Sequence, residues 1–491
     1  MLLTSILCVP LLAGLACLFV RSRLLMEILN VAALGAVLAL AVKLFEDLMA
    51  DKGHSITEWG EFLRADALSL WMVFLISIVS LAATLYALGY FRRDLAAARV
   101  TERRVREFYV LTPLFAAGML LVVLANNLGV MWIAMEGTAL ASVLLVALYN
   151  RKTSLEAAWK YVILGGLGMV LALFGTISAY AAAVGKLHGE ALPSFNWSRL
   201  YGMASQLDHH LILLAFIFVF VGYGTKAGLA PMHTWLPDAH SEAPSPTSAM
   251  LSGVSLKIAI YALLRFHILT TACLGSDFSR NLLLGFGLLS MLVAGPFILV
   301  QKNLKRMLAY SSLEHVGLIC AAVGMNARLT VFGALLHMGY HALTKPLLFF
   351  AAGNIHLQFH TLDFRRLGSG LTRSMPVTAL VLFVAAAAVS GLPPFGMFVS
   401  ELTIIAGALT SQHTWAGAVI LASLIIVFCG VLSTLARLML GETRAEPRET
   451  VSPTGIGSMS LPLAALIVFT LWLPASIRHL MELAANIIQG A

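Results

Sequence analysis

Charge is what this 491-residue chain has least of: Asp, Glu, Lys and Arg make up 11% of it, against about 25% in ordinary soluble domains. That shortage excludes a water-soluble globule. Cysteine is scarce as well. Cys8, Cys17, Cys273, Cys320 and Cys429 lie scattered in apolar segments with no CxxC spacing, which argues against an iron–sulfur, zinc or disulfide framework. There is no GxxxxGK[ST] run and no glycine-rich loop after a strand pattern, so no nucleotide engine is visible. The expected cofactor list is therefore empty, and no metal is expected. The net charge of +8 is spread over short loops between apolar runs, which is the positive-inside pattern of membrane proteins and not a nucleic-acid surface.

What the chain has instead is hydrophobicity, 59% of its residues, arranged in recurring runs of about 20 residues. The pattern predicts an all-α polytopic membrane protein of about fourteen spans. They fall near 2–20, 24–45, 67–90, 108–125, 127–149, 159–183, 211–232, 247–269, 281–300, 307–324, 329–353, 376–409, 416–440 and 459–480. The opening run lacks the basic leader of a cleaved signal peptide, and Arg21 and Arg23 follow it, so it reads as a retained first span.

The basic residues set an expected orientation. Twenty of them sit in loops after odd-numbered spans and nine on the other side, which puts the odd loops in the cytoplasm and both termini outside, in a bacterial inner membrane. Three of the 32 basic residues, Lys226, Lys257 and Lys345, are left inside spans. A lysine at the centre of a membrane helix costs on the order of 3 kcal/mol and commonly marks function. Of the acids, Glu136, Glu401 and Glu314 sit within spans, and Glu27 near a boundary.

Residues 224–257, GTKAGLAPMHTWLPDAHSEAPSPTSAMLSGVSLK, gather two of these lysines around a helix break. Broken helices are tolerated in lipid only where protein encloses them or a cavity is lined. The Gly-Leu-Ala-Pro run at 228–231 is echoed by Gly-Leu-Pro-Pro at 391–394. Two breaks five spans apart predict two inverted five-helix repeats, spans 4–8 and 9–13, with helices 7 and 12 broken. The expected units are 1–107, 108–269, 270–440 and 441–491.

Single residues follow from this frame, each with a plainer alternative. Glu136 is placed to pair with Lys226, either to tune it or as a structural ion pair. Lys226 can release and regain a proton where an arginine could not; the alternative is a side chain reaching for the interface. Lys257 is too deep for that. His337, His341 and Lys345, at i, i+4 and i+8, form a polar row about 12 Å long on one helix face. Imidazoles exchange protons near neutrality, so the row reads as a proton relay. Metal binding by the histidine pair is the alternative, but no acid or cysteine stands near it in sequence to complete a site. Glu314 and His315 extend the row or make an interhelical contact. Glu401 lies where a path would leave. His233, Asp238, His240 and Glu242 are either a solvated link or proton collectors.

At these residues the chain resembles the antiporter-like membrane subunits of the NADH-quinone oxidoreductase and membrane-bound hydrogenase superfamily. The stretches that carry the likeness are HTWLPDAHSEAPSPTSAMLSGVSLK, NLKRMLAYSSLEHVG and HMGYHALTK. WIAMEGTALASVLLVALY, SLEAAWKY and SSLEHVG look nearest to the F component of hydrogenase-4, from formate-hydrogenlyase-like complexes. The resemblance covers roughly residues 60–440 and implies one proton moved per subunit along a mid-membrane polar axis. By motif, the span-5 glutamate is Glu136, the span-7 and span-8 lysines are Lys226 and Lys257, and the terminal acid of span 12 is Glu401. The chain ends soon after span 14, without the lateral helix of the family's largest subunit.

The expected role is therefore a proton-translocating membrane subunit without a catalytic redox site of its own. Protons would pass from Lys226 and Lys257 along His315, His337, His341 and Lys345 to Glu401. Expected partners are other membrane subunits, the lipid bilayer and a soluble redox arm, either a nickel–iron hydrogenase or an NADH/quinone module, and no nucleic acid. The alternative is a subunit of a multi-subunit Na⁺/H⁺ or K⁺/H⁺ antiporter.

Overall fold

The structure, a computed structural model, describes residues 1–51, 53–184, 195–441, 449 and 453–490. Lys52, Lys186, Arg444 and Arg448, which enter the charge balance, lie outside the described residues. Helices begin and end where local chemistry dictates. Helices α1 (Leu2–Phe19) and α2 (Arg23–Ala50) lead to a short antiparallel hairpin, β1 (Ile56–Glu58) and β2 (Leu63–Ala65), which an all-helical reading did not foresee. Next come α3 (Ala67–Ala96), α4 (Glu102–Leu124), α5 (Leu128–Val146) and α6 (Lys152–Val184). The side chains of Asp66, Thr101 and Asn127 accept backbone N–H bonds at the starts of α3, α4 and α5, satisfying donors that a helix leaves free.

After α7 (Trp197–Gly202), α8 (His209–Ala227) ends at Gly228, whose φ of +79° is open to glycine without strain. The link holds α9 (Trp235–Glu242), then α10 (Ser245–Met250), a π-helical turn at Leu251–Ser255, and α11 (Leu256–Leu274). Long helices α12 (Asp277–Val300), α13 (Leu304–Met325) and α14 (Arg328–Phe359) follow, then the short α15 (Phe364–Leu367) and α16 (Leu371–Ser374). The expected twelfth span is split into α17 (Pro376–Val389) and α18 (Gly396–Thr410), with α19 (Thr414–Met439), α20 (Pro453–Leu471) and α21 (Ala475–Gln489) completing the chain. Both breaks contain a cis X–Pro bond, Ala230–Pro231 and Pro393–Pro394.

Among the described residues, eleven helices are long and apolar enough to cross a membrane, or twelve if a bent pair is one span. The expected fourteen is not reached by this measure. α14 is not among the eleven, and α17 and α18 are each too short to count alone. The expected last span, 459–480, is also corrected. α20 stops at Leu471, and after Pro474 α21 turns away by 85°. It buries Leu480, Met481, Ala484 and Ile488, one face of an amphipathic helix.

The centre of the bundle is α10–α11, α13 and the middle of α14. Every residue in 243–270 and 333–355 is buried, and so is every residue of α13 except Arg306. α6 instead exposes Trp159, Ile163, Leu167, Val170, Phe174 and Ile177 at helical spacing, an apolar outer stripe.

Close helix contacts rest on small residues, as they do where lipid gives no hydrophobic drive to associate. On α6, a Cβ at Gly175 would stand 2.6 Å from the Ala215 carbonyl of α8. One at Gly222 of α8 would stand 2.6 Å from the backbone nitrogen of Ala172. Gly166, on the same helix α6, faces open space. Gly222→Ala should therefore destabilise the protein by about 1–3 kcal/mol, while Gly166→Ala should be neutral or slightly stabilising. Thermal melts of the two purified variants in detergent decide this; equal midpoints would mean that α6 and α8 part without cost.

Candidate functional site

Five basic side chains are buried among the described residues: Lys226, Lys257, Arg265, Lys305 and Lys345. Three were expected. Arg265 and Lys305 were counted as loop charges because they lie near span ends, and both in fact point into protein. The Arg265 guanidinium donates to Asp66 at 2.7 Å, Ser69 at 3.0 Å and Tyr261 at 2.9 Å, and lies over the Trp197 ring. A buried charge met by its counter-charge is a clamp between α11 and the start of α3. Lys305 donates to the Ala243 carbonyl at 2.8 Å, fastening α13 to the end of α9.

Lys257 owes its position to the π-helical turn just before it. Such a turn widens the helix and frees carbonyls, often at functional sites. Lys257 Nζ donates to the Ser252 and Gly253 carbonyls at 3.1 and 2.6 Å, and contacts His341 Nδ1 at 2.7 Å. On α14, Lys345 sits just before Pro346 and donates to the Leu308 carbonyl and Ser311 Oγ, both at 2.9 Å.

The three α14 side chains lie along one helix but do not touch in series. The His337 and His341 rings are 6.4 Å apart, and the His315 ring of α13 stands between them, 5.0 Å from the first and 4.9 Å from the second. His337 Nε2 lies 3.1 Å from His315 Nδ1, and its Nδ1 lies 2.9 Å from Ser400 Oγ on α18. Glu314 places Oε2 3.0 Å from His315 Nδ1 without hydrogen-bond alignment. The row thus zigzags between helices, and Ser400 and Ser311 belong to it.

Glu401 is 6% exposed, and its Oε1 has no hydrogen-bond partner. Its carboxylate rests against Gly391 in the second break, where φ is +67° and any Cβ would collide with it. His315, His337 and Glu401 bring one ligand-type atom each within 4.8 Å of the others, all buried. This corrects the expectation that no acid completes a metal-ligating group here: the acid comes from α18, and His341 is not part of the group.

Lys226 is held differently from the expectation. Its Nζ donates to the Tyr161 hydroxyl at 2.7 Å, and no ion pair with Glu136 within 4.0 Å exists among the described residues. Tyr161 also meets Ser142 at 2.9 Å and stacks on Trp235 at 4.2 Å. Trp235 donates to the Thr225 carbonyl at the end of α8, which also accepts from the Gly228 N–H. Glu136 is half-buried and leaves Oε2 without a partner. Tyr161 and Ser142 were missed because a tyrosine or serine inside an apolar helix is commonplace in sequence.

The link between α8 and α10 divides cleanly. Asp238 pairs with Lys160 at 3.0 Å and with Arg306, and Glu242 accepts from Thr153 at 2.7 Å. His240 is buried, stacked on Phe349, and His233 faces Tyr310 edge-on. The two acids are thus fastened to neighbouring helices while the two histidines turn inward.

Comparison with known proteins gives a consistent result. The family model described as NADH:quinone oxidoreductase/Mrp antiporter, TM, matches residues 125–428. That described as NADH-Ubiquinone oxidoreductase (complex I), chain 5 N-terminus, matches residues 62–99. The hydrogenase-4 component F homolog of Methylacidiphilum infernorum is 39% identical over 412 residues, 84% of this chain and 85% of that protein. The membrane-bound sulfane sulfur reductase, an archaeal respiratory membrane complex, contains a chain that superposes with a TM-score of 0.86. Its identity is 23%, with 99% of this chain and 96% of that one covered. The Mrp complex from Dietzia sp. DQ12-45-1b gives 0.86 at 21% identity, covering 99% and 97%. These last two speak for the fold alone.

The Arg265–Asp66 clamp predicts a stability effect separate from any transport effect. Asp66→Ala leaves a guanidinium buried without its counter-charge and should cost about 3 kcal/mol or more. Denaturation of the purified protein checks it, and a loss under about 1 kcal/mol, the scale of an exposed pair, would show that water reaches the clamp.

Proposed function

This chain belongs to the NADH:quinone oxidoreductase/Mrp antiporter transmembrane family, and we propose that it is a proton-translocating membrane subunit of a multi-subunit energy-converting oxidoreductase, of the hydrogenase-4 or NADH-quinone type. One observation carries the reading: a contiguous buried set of exchangeable groups, Lys257, His341, His315, His337 and Ser400, supplied by four different helices. Apolar packing would stabilise a bundle centre better than this, so the set is explained by what it can pass along.

On this reading protons arrive near Lys226 and Lys257, cross through the imidazoles with Lys345 alongside, and leave past Glu401. Three contacts are within hydrogen-bond reach. The step from His341 to His315 is a ring contact of 4.9 Å between centroids, which a rotation about the side-chain bonds closes. Glu136 acts on Lys226 through space, while Tyr161 and Ser142 hold the lysine. The two broken helices are counterparts in two inverted five-helix repeats, 108–269 and 270–440, flanked by 1–107 and 441–491. Orientation follows the basic loops, with both termini on the outer side of a bacterial inner membrane.

Moving one charge against 100 mV takes about 2.3 kcal/mol, and this reading assigns its supply to a redox partner. The test is a purified complex sealed in vesicles, with proton uptake followed by a pH-sensitive dye after addition of redox substrate. A pH gradient that needs Na⁺ or K⁺ and no redox substrate would favour the antiporter alternative.

Lys226→Arg keeps the charge but will not release its proton, so pumping should be lost in a complex that still assembles. Full pumping would remove Lys226 from the path. His341→Gln should lower pumping by at least about tenfold, near the low end of what a positioned proton-transfer group contributes; unchanged flux would mean that Lys257 hands its proton elsewhere.

A further inference from the structure

Three side chains with metal-binding chemistry meet in the centre of the bundle, one from each of three helices: His315 of α13, His337 of α14 and Glu401 of α18. The group is built, with its members held by their surroundings. His337 is oriented by Ser400 at 2.9 Å, and Glu401 is lodged against Gly391. It is also unsatisfied, since Glu401 Oε1 has no hydrogen-bond partner. Polar atoms left unpaired at this depth carry a desolvation cost, and a ligand that pairs them gains it back.

We propose that His315, His337 and Glu401 form a binding site for one divalent transition-metal cation of the zinc type, and that its occupation closes the polar row. The donor set fits that class: imidazole and carboxylate suit zinc and its neighbours, whereas magnesium and calcium take oxygen ligands. The spacing fits as well. His337 Nε2 and His315 Nδ1 are 3.1 Å apart, close to the edge of about 3.3 Å of a tetrahedron with zinc–nitrogen bonds of about 2.0 Å. All three ligand atoms lie within 4.8 Å of one another, a spread that a rotation of the Glu401 side chain reduces. Three protein ligands leave a fourth position, and Glu314 stands beside His315 with neither carboxylate oxygen hydrogen-bonded.

Charge favours the same occupant. A dication between Glu314 and Glu401 makes an ensemble with no net charge, which a membrane interior accepts far more readily than either carboxylate alone. Pro393 and Pro394 of the second break are exposed, and Glu401 packs against the same break at Gly391. A cation here would take the ring nitrogens that pass protons on the proposed path. The closing effect therefore rests on that path, while the binding does not.

The experiment uses the complex as purified, stripped with a chelator and equilibrated with Zn²⁺, and with Co²⁺ as an optical reporter. One zinc per chain should survive gel filtration, and cobalt should give the intense visible bands of a four-coordinate site. His315→Ala and Glu401→Gln should each weaken binding by at least about tenfold, the smaller loss seen even for outer-shell changes. His341→Ala, whose ring faces Lys257, should keep it. Gel filtration profiles of the same samples report assembly. Absence of retained zinc in the wild-type complex, or equal retention by His315→Ala and Glu401→Gln, overturns the site. Zinc retained at the site with proton flux unchanged in the same vesicles overturns the closing effect alone.

Discussion

A charge in a hydrocarbon slab has to be met by protein, and in this chain the backbone meets it by breaking its own helices. Lys257 stands immediately after a π-helical turn and takes two of its carbonyls. Lys226 stands just before the break at Gly228, where the Thr225 carbonyl fixes Trp235, which in turn stacks on the Tyr161 that Lys226 reaches. Lys345 precedes Pro346, which cannot donate into the helical ladder. Glu401 sits against the second break. A carbonyl of intact helix already accepts one backbone N–H and offers an ammonium group only its second lone pair, as Leu308 of α13 does to Lys345. Lys226, Lys257, Lys345 and Glu401 thus stand at or beside irregular positions, whereas His315 and His337 project from regular helix and meet each other across α13 and α14.

The central helices show what this arrangement demands of packing. α10–α11, α13 and α14 are buried nearly throughout, so their polar residues face other helices and never hydrocarbon. Small residues at close crossings bring α8 against α6, letting side-chain partners from neighbouring helices meet. Arg265 with Asp66 and Lys305 with Ala243 pin the rim of the bundle and do not belong to the row. Arg265, matched by the Asp66 carboxylate, is thereby set apart as scaffold.

Much of the fold was legible because lipid imposes one simple rule on composition. Most expected spans match observed helices to within a few residues, and both broken helices lie where Gly-Leu-Ala-Pro and Gly-Leu-Pro-Pro predicted. The end of the chain was misjudged because an amphipathic helix lying across the bundle, α21, carries the same apolar residues as a span. The buried lysines and histidines were legible as outliers, since each violates the apolar rule. Their partners were not. Tyr161, Ser142, Ser311 and Ser400 are ordinary residues for a membrane helix, and only the crossing of helices gives them a role. Spacing along α14 also suggested a straight relay, which the structure replaces with a path through His315, because the His337 and His341 rings, four residues apart on one helix, lie farther from each other than from a ring on the neighbouring helix.

The central claim is that the buried imidazoles change protonation as the protein works. Isotope-edited infrared difference spectroscopy tests it most directly, on the complex carrying ring-labelled histidine and driven through turnover in sealed vesicles. The account predicts imidazole bands that appear with pumping and are altered when His315, His337 or His341 is replaced. Full pumping with no histidine bands, or bands that none of the three replacements changes, would contradict it.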